Sequence, residues 1–171
     1  MTEAQWAVER RQPPKGPFVV INAVIRGLLR SPAHGLVGDR IGLLTFTGAK
    51  TGTIYRTPVG VHDLDGEPAT LTSSGWRVNF RNPAPVTLHR AGRDLPLFAS
   101  LIEDPDQVAD VYATLIDRFG YQRAGRRLGI KITVDRTPTH QELADSARHF
   151  GLSVVSYQPR PEPTTQGGPH A

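Results

Sequence analysis

The chain contains no cysteine. Disulfide staples, thiolate metal sites, Fe–S clusters and cysteine nucleophiles are excluded together. Aromatic residues make up only 7% of the chain, and there is a single methionine. No apolar run approaches the ~20 residues of a membrane-spanning helix, so no integral membrane segment is expected. No Gly-x-Ser-x-Gly elbow occurs. The histidines His34, His62, His89, His140, His149 and His170 show no i, i+4 pair, so no metal site is expected. Asp63-x-Asp65-Gly66 lacks the remaining ligands of a calcium loop. The carboxylates show no acid/base pairing. Met1-Thr2-Glu3-Ala4 has neither a basic n-region nor an apolar h-region. A cytoplasmic location is the expectation.

The 171 residues fit one domain, given typical sizes of roughly 100–200 residues. Glycine, at 17, and proline, at 15, are abundant and point to turns and short strands rather than a helical bundle. Of the 20 basic residues, 17 are arginine. Residues 1–60 carry eight basic side chains against three acidic ones. A basic first third suits an anionic partner such as a phosphate. The plainer reading is a solvated, arginine-rich surface.

Residues 1–16 read as a loose arm with a frayed helical turn near Trp6, and 159–171 as a disordered Pro/Gly-rich tail. Residues 17–158 are expected to form the folded domain. Phe18–Arg30 carries apolar residues at helical spacing, with Arg26 and Arg30 one turn apart on the other side. Ile41–Thr47 reads as a strand, and Ile54–His62 as another. Pro58 inside the second marks an edge or bulge. Asp65-Gly66 suits a hairpin turn. Ala69–Ser73, Pro85–Arg90 and Leu95–Ile102 follow as strands, the last two joined at Ala91-Gly92-Arg93-Asp94. Asp104-Pro105 opens a helix whose apolar stripe runs from Val108 to Phe119 and stops at Gly120. Ile130–Val134 alternates like a half-buried strand. Thr139 and Glu142 form a capping box for a helix ending at Gly151, and Leu152–Tyr157 is a last strand. Strands arriving in succession favour an α+β fold with an antiparallel sheet or barrel over a Rossmann alternation.

Three segments can carry chemistry. Gly48-Ala49-Lys50-Thr51-Gly52-Thr53 links two strands, with Arg56 just beyond. Successive N–H groups in such a turn can form an anion nest, and Lys50, Thr51, Thr53 and Arg56 add charge and hydroxyls. It is not a P-loop, since no helix follows. Read plainly, it is a glycine hairpin with a solvated lysine. Ser73-Ser74-Gly75-Trp76 follows a strand end and leads into a short turn carrying Asn79 and Phe80. Its hydroxyls can bond the edge of a heterocycle while the indole covers a face. Equally, Trp76 can be core filler at the barrel mouth. Tyr121, past the long helix, can donate a proton. It can also be a simple helix-end tyrosine.

Taken in order, these segments resemble the deazaflavin-dependent nitroreductase family, split-barrel oxidoreductases that use coenzyme F420. The resemblance covers roughly Phe18 to Val134. It rests on Thr47-Gly48-Ala49-Lys50-Thr51-Gly52 followed by Arg56-Thr57-Pro58, on Trp76-Arg77-Val78-Asn79-Phe80, and on Pro85-Val86-Thr87-Leu88 with Gly92-Arg93. Family members carry Thr-Gly-Arg-Lys-Ser/Thr-Gly, so Ala49 departs from the pattern. The segment 138–157 has no counterpart.

The resemblance implies a split β-barrel, an enzyme, and hydride transfer to a quinone, enone or nitro compound. It implies that Gly48, Lys50, Thr51, Gly52 and Arg56 hold the phosphodiester end of F420. Arg26 and Arg30 would help clamp its acidic tail. Thr57 and Pro58 would lie along the deazaflavin, Ser73, Ser74 and Gly75 would meet its ring system, and Trp76 would line the substrate side. Tyr121 would be the catalytic proton donor. An FMN-dependent split barrel and a non-catalytic ligand-binding barrel are the alternatives. No nucleic-acid partner is expected, because aromatic and basic residues do not interleave on one strand. Exposed hairpin edges leave room for a homo-oligomer.

Overall fold

A computed structural model describes residues 6–11 and 40–160 of the chain. The expected helix Phe18–Arg30, with Arg26 and Arg30, and the segment 161–171 lie outside the described residues.

Seven strands form one sheet: β2 (Ile41–Thr47), β3 (Ile54–Gly60), β4 (His62–Leu64), β5 (Glu67–Thr72), β6 (Ala84–Arg90), β7 (Arg93–Ile102) and β9 (Ser153–Pro159). Their order is β3-β2-β6-β7-β9-β5-β4, and every neighbouring pair is antiparallel. The two outermost strands, β3 and β4, are consecutive in the chain with only Val61 between them. A sheet whose first and last strands are joined by one residue must curl back on itself. The Thr70 hydroxyl, on β5, donates across that seam to the Gly60 carbonyl at 2.9 Å. The fold is therefore the expected α+β split-barrel type, with helices to one side.

The alternation of β2 explains the interior. Leu44 and Phe46 point in, and their partners Thr57 and Tyr55 on β3 lie directly opposite on the same face. Val59, Val86, Leu88, Leu97, Val155 and Tyr157 complete that buried cluster. Pro58 sits in β3, an edge strand among the described residues, where its missing N–H is tolerated. The turns follow their local chemistry. Asp65-Gly66 and Ala91-Gly92 both take positive φ at both positions, as two-residue hairpins require.

A second core lies between the sheet and three helices: α1 (Pro105–Phe119), α2 (Tyr121–Leu128) and α3 (His140–Phe150). Asp104 caps α1 by accepting from the amides of Asp106 and Gln107 at 3.1 and 3.0 Å. The expected stripe is buried at Val108, Tyr112, Leu115 and Ile116. Thr139 and Glu142 form the capping box of α3, and Gly151 ends it in the left-handed region. Adjacent residues of β9 serve both layers, since Val154 belongs to the helical core and Val155 to the barrel.

Three expectations are corrected. Val8–Arg10 is a strand, β1, rather than part of a loose arm. It pairs antiparallel with β8 (Ile130–Ile132). Trp6 precedes it without helical structure, and its ring stacks on His149 at 4.3 Å between centroids. Three residues are too few to show a period, and what holds them is the fully buried Val8 and the partner strand. Tyr121 opens α2 rather than trailing α1, because Gly120 takes φ 76° and ψ 138° and breaks the helix for one residue only. Pro159 closes β9 rather than beginning the tail.

Candidate functional site

The β2–β3 loop and the turn after β5 lie at the same end of the barrel. The loop is short and closed on itself. The Gly48 amide donates to the Thr53 carbonyl at 2.8 Å, and the Gly52 amide to the Gly48 carbonyl at 2.9 Å. The Thr51 hydroxyl accepts from the Thr53 amide at 3.3 Å and lies 3.3 Å from the Tyr55 hydroxyl. A Cβ on buried Gly48 would meet Thr51 Oγ1 at 2.6 Å and the Tyr55 ring at 2.7 Å. Gly52 adopts φ +65° and faces open space.

The turn after β5 is a 3-10 helix, Gly75–Phe80. Arg77 organises its entry by donating to the carbonyls of Ser73 and Ser74 at 3.1 and 3.0 Å and to the Ser153 hydroxyl at 3.2 Å. Asn79 joins the two segments. Its Oδ1 accepts from the Ala49 amide at 2.9 Å, while its Nδ2 donates to the Trp76 carbonyl at 2.7 Å. Aromatic contacts back this junction. Phe46 lies 5.6 Å from Tyr55, 6.0 Å from Trp76 and 5.2 Å from Phe80, measured between centroids.

The structure thus brings together most of the residues singled out in the sequence. Gly48 is buried, and Lys50, Thr51, Gly52, Arg56, Pro58, Ser74 and Gly75 are exposed. Thr57, Ser73 and Trp76 are half-buried. Trp76 packs on the barrel cluster and is half-buried there. The anion nest is smaller than expected. Four of the loop's amides, at Gly48, Ala49, Gly52 and Thr53, are already bonded within the protein. Among the described residues, the Lys50 and Thr51 amides have no such acceptor, and the side chains of Lys50 and Arg56 have no ion-pair partner.

Strand alternation also divides β3. Tyr55, Thr57 and Val59 face the barrel interior, while Arg56 and Pro58 stand opposite Thr45 and Leu43 on the outer face. Thr57 and Pro58 therefore do not present side chains to one face of a flat ring. A ligand touching both must run along the strand edge.

Tyr121 is placed elsewhere. Its ring packs against the helical core and its hydroxyl donates to Asp135 Oδ1 at 3.0 Å. It lines a cleft formed by β1, α2 and β8, to which neither barrel-end segment contributes. Asn79 and Arg77 are the residues whose tasks went unassigned in the sequence. Asn79 stands in a quoted motif, but its bond spans 30 positions and leaves no local signature.

Among the described residues no group of three or more His, Asp or Glu gathers as a metal site, and no helix is long and apolar enough to cross a membrane. No family model matches the chain, and no curated protein matches it. Among solved structures it is similar to an F420-H2 dependent reductase (FDR-A), at 19% identity over 70% of this chain and 94% of that one, with a TM-score of 0.42. It is similar to an F420 reductase at 14% identity over 77% of this chain and 95% of that one, with a TM-score of 0.39. It is also similar to the conserved hypothetical protein Rv2991 from Mycobacterium tuberculosis, at 18% identity over 75% and 78% of the two chains, with a TM-score of 0.42.

Proposed function

We propose that this chain is a deazaflavin-dependent oxidoreductase that holds coenzyme F420 at the barrel end built by the β2–β3 loop and the Gly75–Phe80 turn. The observation that carries the reading is the Ala49–Asn79 hydrogen bond, which locks the two motif segments together while Lys50 and Arg56 keep no ion-pair partner among the described residues. The donor set fits the group. Two cations, two free amides and the loop hydroxyls suit a phosphodiester and carboxylates. The half-buried indole and the Ser73-Ser74-Gly75 turn suit a flat heterocycle.

When bound, the deazaflavin supplies hydride chemistry for a small electron-poor molecule such as a quinone, enone or nitro compound. The chain's residues bind and orient. Lys50 contributes a point charge and Arg56 a planar fork. Phe46, Tyr55, Trp76 and Phe80 give the barrel end an aromatic backing on which a flat ring can lie. Asn79 and Arg77 position the two segments. Tyr121, held in the other cleft by Asp135, takes no part at this end, and a proton would come from solvent.

The test is a binding titration against F420, FMN and NADPH, followed by turnover with a quinone. F420 should bind at least about tenfold tighter than either competitor, a difference of about 1.4 kcal/mol. Tighter FMN binding would replace the cofactor, and binding without turnover would make the protein a carrier.

A further inference from the structure

The cleft that contains Tyr121 has a composition of its own. It is open to solvent and has a volume of about 590 Å³, within the size range of small-molecule sites. Four cationic side chains line it, Arg10, Arg11, Arg126 and Lys131, against a single carboxylate, Asp135. Two of these five charged groups are already engaged. Lys131 Nζ donates to Glu9 at 3.1 Å, and Asp135 accepts from the Tyr121 hydroxyl. Arg10, Arg11 and Arg126 remain with no acidic partner among the described residues. The floor is apolar, with Ile130 buried and Ile132 and Val134 half-buried.

The fold builds this arrangement. The pairing of β1 with β8 sets Arg10 opposite Ile130, so two arginines distant in sequence from α2 are brought to its flank. Gly125 lets α2 lie against β8, since a Cβ there would come within 3.1 Å of the Ile130 carbonyl. Three guanidinium groups line this one cleft. Their planar forks match phosphate oxygens.

From this juxtaposition we propose that the β1–α2–β8 cleft is a second binding site, for a small phosphate ester with an apolar body. The phosphate meets Arg10, Arg11 and Arg126, and the apolar body lies on Ile132 and Val134. The Tyr121–Asp135 pair closes one side. The site shares no lining residue with the barrel end, so it stands or falls separately from the F420 reading.

Calorimetric titration of the full chain with 1-naphthyl phosphate, beside inorganic phosphate, tests it. One equivalent of the ester should bind, about tenfold or more tighter than inorganic phosphate, because only the ester covers the apolar floor. Arg10→Ala and Arg126→Ala should each weaken binding by about tenfold, the scale of one lost charge-assisted contact. Both side chains are exposed, and near-UV circular dichroism checks that the variants fold. Lys50→Ala should leave the affinity unchanged. Unaltered affinity in both arginine variants would overturn the proposal. So would loss of binding in Lys50→Ala, which would move the phosphate to the β2–β3 loop. Equal affinity for ester and inorganic phosphate would remove the apolar half of the claim. Saturable binding of an oligonucleotide but not of the ester would assign the arginines to a nucleic acid.

Discussion

Asn79 Oδ1 accepts the Ala49 backbone amide at 2.9 Å, joining a loop and a turn that lie 30 residues apart. The same side chain donates to the Trp76 carbonyl. Asn79→Ala removes both bonds. At a net of about 1 kcal/mol each, the variant should lose about 1–2 kcal/mol of stability in urea denaturation. F420 affinity should fall further than Trp76→Phe lowers it. An Asn79→Ala protein with full affinity would show that the loop needs no tie.

Lys50→Ala and Arg56→Ala should each weaken F420 binding by about 1.5–3 kcal/mol, the range for hydrogen bonds to charged groups. Both side chains are exposed, so raising the salt concentration should shrink the difference. Fluorescence titration at two ionic strengths measures this. Wild-type affinity in both variants would remove the loop from the site.

Gly48→Ala and Gly52→Ala should differ in kind. At Gly48 the added methyl meets Thr51 and Tyr55 side-chain atoms, so the loop must shift and cofactor affinity should drop. At Gly52 there is space but positive φ, and the cost should be a stability loss of about 1 kcal/mol with affinity nearly kept. Parallel melting and binding measurements separate the two effects.

A pH dependence follows from the α3 cap. Glu142 is held down to about 2, chiefly by its hydrogen bonds from Arg136 and then by the Thr139 amide. A carboxylate whose folded value is depressed stabilises the fold above its unfolded value and loses that contribution as pH falls. The loss therefore runs from its ordinary 4.5 down to about 2. Denaturant midpoints of wild type and Glu142→Gln should differ most near neutral pH and converge through that window. A gap that stays constant down to the acid end would contradict the linkage.

The barrel seam makes a further prediction. Tyr157, fully buried, donates to Thr70 Oγ1 at 3.0 Å, and Thr70 donates onward to Gly60. This relay runs from β9 through β5 to β3. Tyr157→Phe should cost about 1–3 kcal/mol, because Thr70 loses a buried partner, with little change in the circular dichroism of the sheet. A neutral substitution would show that the relay adds nothing to closure.

Much of this architecture was readable from local chemistry. Strand β2 has the expected bounds, and Asp104, Thr139 and the glycines at 120 and 151 mark helix ends through caps confined to a few residues. What escaped depends on distant partners. Strand β1 exists because β8 and the helical core receive it, and nothing in Val8-Glu9-Arg10 announces a strand. Helix α2 is short and rich in arginine, with only Ala124 and Leu128 buried, so no stripe gave it away. The barrel-end residues were readable because two glycine-bearing motifs stand in order along the chain. Their separation from Tyr121 was not, since position in sequence carries no information on which face of the sheet a helix covers.

Strand β9 lies between β7 and β5, inside the sheet rather than at its margin. It is also the latest of the described strands to leave the ribosome. Until Ser153–Pro159 emerges, β7 and β5 each present an unpaired edge, and neither the barrel nor the helical layer has its shared wall. Vectorial synthesis must therefore hold a half-built sheet open for some fifty residues after β7 is complete, the interval in which intermolecular strand pairing competes with correct closure.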